Sequence, residues 1–238
     1  MSDAERMDQN PAHQGEGVPV PTPVRRRLSN WPPITTAIIA ICVLMAVVGR
    51  VQPQVQVELM FYPPFALEQP YRFLTSAILH SGFWHLVFNM YALWFLGRVL
   101  EPALGKIRFT TLYLVSAIGG NVAIMLLSNL TGQWNIGAVG ASGAIFGLFG
   151  SLAVLYKRVN ANLSGILTLL GINLVLGFTV PGISWESHLG GLVVGILLTW
   201  LWIGLGTRFR GKRPNLRKVV DIGVALLVLA AMIGLMLI

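Results

Sequence analysis

Four residues of this 238-residue chain carry side chains suited to nucleophilic chemistry and stand in apolar surroundings: Ser142, His188, His85 and Asn89. A serine attacks a carbonyl only where a base accepts its proton and donors stabilise the oxyanion. His188 is the candidate base, because an imidazole titrates near neutral pH. His85 and Asn89 are four residues apart, so both can donate from one helical face to one point. These are the components of serine-type peptide hydrolysis. Each also has a plainer use, since serines and histidines serve in membranes as packing residues and interhelical hydrogen-bond partners.

The surrounding residues bear on both uses. Ser142 lies in Gly140-Ala141-Ser142-Gly143, with Gly147 and Gly150 further along. Gly191 and Gly195 follow His188 on its helical face. Two small-residue faces allow backbones to approach closely, which can bring Ser142 and His188 within hydrogen-bond reach or serve packing alone. Phe146 lies one turn after Ser142 and can pack on the His188 ring. Glu186 is two residues from His188, so no acidic residue stands out as a third member. A dyad oriented by ring packing is the expectation. Glu101, in Gly97-x-x-x-Glu101-x-x-x-Gly105, and His80, five residues before His85, are expected to be structural.

Charged residues make up 11% of the chain and apolar residues 55%. That is too little charge for the surface of a soluble domain of this length, so an all-α polytopic membrane protein is expected. Apolar runs at 33–50, 83–103, 108–130, 138–156, 162–180, 187–206 and 219–238 approach the ~20 residues a spanning helix needs. Between the first two, Pro53, Pro63, Pro64 and Pro70 alternate with Phe61, Tyr62, Phe65, Tyr71 and Phe73. This predicts an interfacial, partly embedded loop. Cys42 is the only cysteine, which excludes an intrachain disulfide. One cysteine and scattered histidines form no metal-ligand cluster, and no basic, aromatic-interleaved segment suits nucleic acid. No cofactor is expected.

With the N-terminus in the cytoplasm, the inside receives Arg25–Arg27, Arg98, Lys106, Arg108, Lys157, Arg158, Arg208, Arg210, Lys212, Arg213, Arg217 and Lys218. The outside receives Arg50 and Arg72. The positive-inside rule therefore predicts an inside N-terminus and an outside C-terminus. At 1.5 Å per residue, Ser142, His188 and His85 then share one layer within roughly 10 Å of the outer boundary. Residues 1–30 are polar, Pro-rich and aperiodic and read as a disordered cytoplasmic tail. Their acidic residues argue against a transit peptide, and a bacterial plasma membrane fits.

Taken together, these residues resemble the rhomboid family of intramembrane serine proteases. The resemblance rests on Glu68-x-x-Tyr71-Arg72, His80, His85-x-x-x-Asn89, Gly97-x-x-x-Glu101-x-x-x-Gly105, Gly140-x-Ser142-Gly143 and His188-x-x-Gly191-x-x-x-Gly195. Tyr71 stands where the family often has tryptophan. The resemblance implies Ser142 as nucleophile, His188 as general base, and an oxyanion held by the Ser142 amide with His85 and Asn89. It also implies a six-helix catalytic core over 31–206. Residues 207–238 would add a cytoplasmic basic loop and a seventh transmembrane helix. The expected partners are transmembrane protein substrates and the lipid bilayer, and the expected reaction is cleavage near the outer face. The alternative is a non-catalytic rhomboid-like protein that binds membrane segments.

Overall fold

Each of the seven apolar runs forms a helix in the computed structural model, which describes residues 31–180, 182–206 and 214–236. The N-terminal tail and the basic segment 207–213 lie outside the described residues. The long helices are α1 (Pro33–Val51), α4 (Phe83–Leu104), α5 (Lys106–Thr131), α6 (Ser142–Arg158), α7 (Ser164–Thr179), α8 (Trp185–Gly206) and α9 (Pro214–Met236). Two short helices, α2 (Pro53–Leu59) and α3 (Arg72–Thr75), lie in the loop between α1 and α4. The protein is an all-α polytopic membrane protein. Four described helices are long and apolar enough by themselves to cross a membrane: 33–51, 106–131, 185–205 and 215–236. Of the other three, α4 is diluted by His85, Asn89, Arg98 and Glu101, and α6 and α7 have only 17 and 16 residues.

The centre is a three-helix contact of α5, α6 and α8, made possible by residues without side chains. A Cβ on Gly191 would overlap the Gly143 carbonyl, and one on Gly195 would overlap the Gly147 carbonyl. The matching order of these pairs means that α6 and α8 run in the same direction. Gly119 and Gly190 let α5 and α8 approach in the same way, and Gly120 faces both Gly143 and Ser187. Without a hydrophobic force between helices in lipid, such close packing is a main source of association. The α6 residues Gly143–Leu152 are accordingly all buried.

The flanking helices are attached by polar groups. Glu101, buried near the end of α4, accepts hydrogen bonds from Ile34 N (3.0 Å), Thr35 N (2.8 Å) and Thr35 Oγ1 (2.8 Å). It thereby caps the first turn of α1, whose amides have no partner within their own helix. Gly97 leaves room for Thr35, with which any Cβ would collide. Helix α9 lies against α5 and α8. Helix α7 is held less closely and exposes Leu167, Leu169, Ile172, Val175 and Phe178.

Candidate functional site

The run expected to be helical over 138–156 begins as helix only at Ser142. Gly140 has φ +132°, a conformation open to glycine and incompatible with helix. Ala138, two residues earlier, is held in an antiparallel bridge with Phe61. Ser142 is thus the first residue of α6, and this corrects its expected position a few residues into the span. The first amides of a helix have no carbonyl one turn earlier to bond, and they point together at the positive end of the dipole. The Ser142 amide has no acceptor among the described residues. Such a group can stabilise a developing negative charge.

His188 lies in the first turn of α8 and is 6% exposed. The Gly143–Gly191 crossing sets its turn beside that of Ser142. Phe146, one turn below Ser142, stacks on the His188 ring with centroids 4.1 Å apart and planes 9° from parallel. No direct hydrogen bond joins Ser142 to His188 among the described residues. Catalytic hydrogen bonds are often long before substrate is bound. Nδ1 of His188 also has no hydrogen-bond partner there, and Glu186 does not supply one. The contact shown for the ring is therefore its stack on Phe146. An apolar cavity of about 110 Å³ lies against Phe146, lined by Leu170 and Gly171 of α7 and Leu189 and Leu192 of α8.

His85 lies in the first turn of α4 and reaches the same place. A Cβ on Gly140 would lie 2.8 Å from His85 Cε1, 2.9 Å from its Nε2 and 3.7 Å from Ser142 Oγ. The other ring nitrogen, Nδ1, lies 3.4 Å from Ser81 N and 3.0 Å from Ser81 Oγ. The Ser81 hydroxyl can serve either tautomer, but with Nδ1 accepting the Ser81 N–H a neutral ring carries its hydrogen on Nε2. That N–H is the one directed toward the Ser142 turn. Asn89, buried below, donates one amide hydrogen to the His85 carbonyl at 2.8 Å, so only its second is free for another acceptor. His80 is buried beside this group, its ring edge-on to His85 with centroids 5.2 Å apart.

The loop before α4 is more ordered than its prolines suggest. Arg72 donates from Nη1 to the carbonyls of Val57 (2.8 Å) and Met60 (2.7 Å) and from Nε to Gln69 Oε1 (2.6 Å). Thr75 Oγ1 donates to the Leu59 carbonyl at 2.7 Å. These bonds satisfy the open carbonyl end of α2 and fix Phe61, which bridges to Ala138. Sequence reasoning did not single out Ser81, Ser76 or Asn121 near the site. The signal available for Asn121 was an amide in the middle of an apolar run, where polar groups need partners.

The Rhomboid domain model matches residues 67–204, more than half of the chain, including His85, Asn89, Ser142, Phe146 and His188. The chain belongs to the rhomboid family. It is 35% identical over 140 residues to RHOMBOID-like protein 4 of Arabidopsis thaliana, covering 55% of this chain and 34% of that protein. It is 38% identical over 130 residues to Rhomboid protease GluP of Bacillus subtilis, covering 52% of this chain and 24% of GluP. Over 191 residues it is 32% identical to RHOMBOID-like protein 6, mitochondrial, of Arabidopsis thaliana, covering 71% of this chain and 60% of that relative. The chain thus matches about a quarter to three-fifths of these relatives. Helices α4 to α7 and nearly all of α8 lie within the matched residues, and α1 and α9 lie outside them.

Proposed function

We propose that this rhomboid is an intramembrane serine endopeptidase that cleaves transmembrane segments of membrane proteins near the outer face of a bacterial plasma membrane, with its N-terminus inside and its C-terminus outside. The observation that carries the reading is the stack of Phe146 on His188 at 4.1 Å, one turn below Ser142, at a parallel crossing of α6 and α8 that leaves no room for side chains. Packing alone would be served by the glycines and would not require an imidazole held flat on a ring one turn from a serine.

In this reading a substrate segment enters between helices, and its end unwinds to expose a peptide bond. Opened backbone is unfavourable in hydrocarbon, so residues that weaken helix are preferred at the cut. His188 takes the Ser142 proton as Oγ attacks the carbonyl carbon. The oxyanion is met by the Ser142 amide, His85 Nε2–H and the second amide hydrogen of Asn89. Collapse returns the proton to the leaving amine and leaves an acyl-enzyme, which water hydrolyses with His188 again as base. Placing the dyad at the helix starts brings it close to the water that this last step needs.

A fluorophosphonate probe applied to purified protein in liposomes tests the assignment. Labelling is expected for the wild type and expected to vanish in Ser142→Ala and His188→Ala. Absence of labelling and of cleavage of a transmembrane substrate by folded wild type would favour a rhomboid-like protein that only binds membrane segments.

A further inference from the structure

Asn121 stands in the middle of α5, 5% exposed and surrounded by apolar helices. Its Nδ2 donates to the Phe73 carbonyl at 2.9 Å and to Ser76 Oγ at 2.8 Å. Ser76, 2% exposed, passes the connection on: its own carbonyl accepts the Gly140 N–H at 2.9 Å. Gly140 is the residue in the positive-φ conformation that stops the helix from starting early, and a Cβ on it would lie 2.8 Å from the His85 ring and 3.7 Å from Ser142 Oγ. Gly120, next to Asn121, lies against Gly143 and Ser187. One turn of α5 therefore bears on the loop, on the start of α6 and on the start of α8.

We propose that Asn121 and Ser76 are positioning residues for the reaction proposed above: they form a buried clamp that holds the Gly140 turn, and with it the exposed Ser142 amide, at the height of His85. The inference rests on the protease reading for its catalytic consequence and on the hydrogen bonds alone for its structural one. A buried carboxamide in a transmembrane helix is costly unless both its hydrogens are used. Here both are used on the loop, and none on a neighbouring transmembrane helix. General interhelical adhesion would put the bond between helices. This one joins α5 to the segment that ends at the catalytic turn. An oxyanion site loses rate when its donors are displaced by a fraction of an ångström, because its advantage is that they are already in place.

The test uses the full-length chain in lipid nanodiscs, with Asn121→Ala, Ser76→Ala and Ser76→Thr. Ser76→Ala removes the hydroxyl acceptor but keeps the carbonyl that Gly140 bonds, so it covers the case in which Asn121→Ala does not fold. Two quantities are read: hydrogen exchange of the Gly140 amide, and the rate constant of fluorophosphonate labelling per folded molecule. Loss of one buried hydrogen bond is expected to speed exchange and slow labelling by about 3- to 10-fold in both alanine variants. Threonine is expected to restore both.

Unchanged Gly140 exchange in both alanine variants would overturn the clamp whatever the labelling does. Faster exchange with unchanged labelling would leave a loop contact and overturn the positioning role. A wild type that is never labelled would remove the reaction instead, while the exchange comparison still decides whether the turn is held. A merely structural Asn121 would lower the folded fraction and leave the labelling constant of the remaining molecules alone.

Discussion

Arg108, in the first turn of α5, and Asp221, 113 residues later in α9, form a two-pronged ion pair, with Nε on Oδ2 at 2.7 Å and Nη2 on Oδ1. The side chains are only 12% and 9% exposed. Trp202 of α8 completes the group: its Nε1 donates to the Asp221 carbonyl at 3.0 Å, and the Arg108 guanidinium lies over its ring at 5.6 Å. Helix α9 is thus tied near one end to α5 and α8. Breaking a buried pair leaves one charge uncompensated, which costs more than the pair itself contributes. Asp221→Ala is expected to lower stability by about 3 kcal/mol. Arg108→Met combined with Asp221→Leu should recover most of it. Thermal unfolding in a fixed detergent measures both, and a single variant as stable as wild type would show that α9 is held by its apolar face alone.

Close packing of α6 and α8 supplies a sharper contrast between glycines. Gly191→Ala would drive a methyl group into the Gly143 carbonyl, and backbone atoms cannot rotate away. The helices must separate, at a cost of about 2 kcal/mol or more, and His188 moves with its helix. Gly223 in α9 has nothing within 4 Å of its added Cβ. Gly223→Ala is expected to be neutral or to stabilise by roughly 0.5 kcal/mol through its higher helix propensity. Equal effects of the two substitutions on the unfolding midpoint and on labelling would contradict the close crossing.

What the sequence made legible follows from what is local. Apolar runs located all seven long helices, because burial in lipid and helical length are properties of contiguous residues. His85 with Asn89, and Ser142 with Phe146, could be placed on common faces because each pair is a turn apart. The start of α6 was misplaced, since the apolar character of Ala138, Val139 and Ala141 hides the Gly140 turn. Arg108 was read as one of several inside charges. Its partner Asp221 could not be inferred, because nothing in a hydropathy pattern pairs residues across 113 positions. The Asn121–Ser76 contact was hidden for the same reason, as was the order that Arg72 imposes on the loop.

The tautomer of His85 offers a test that does not require turnover. With the Ser81 amide donating to Nδ1, the hydrogen is expected on Nε2. Nitrogen NMR of ring-labelled protein in micelles is expected to report an unprotonated Nδ1 at neutral pH. Ser81→Ala keeps the amide and should leave the tautomer unchanged while loosening the ring. A loss of about 2- to 5-fold in turnover is expected, as for one exposed hydrogen bond. A protonated Nδ1 would turn the wrong nitrogen toward Gly140 and remove His85 from the oxyanion site.

Phe146 distinguishes orientation from bulk. Its ring lies 9° from parallel to His188 at 4.1 Å, and it also borders the apolar cavity lined by Leu170, Gly171, Leu189 and Leu192. With no acceptor on Nδ1 among the described residues, the imidazole has little else to set its plane. Phe146→Leu keeps most of the volume and removes the stacking surface, so stability should change little. Stacked aromatic pairs contribute about 0.5–1.5 kcal/mol beyond burial, equivalent to a turnover loss of about 2- to 10-fold. On the reading of His188 as base, the loss is expected in kcat with KM unchanged, because the ring packs on the imidazole. Phe146→Tyr should retain most activity, since the stacking face is kept. A leucine variant with wild-type kcat would mean that the His188 plane is set by the α6–α8 crossing itself, with Phe146 only filling space.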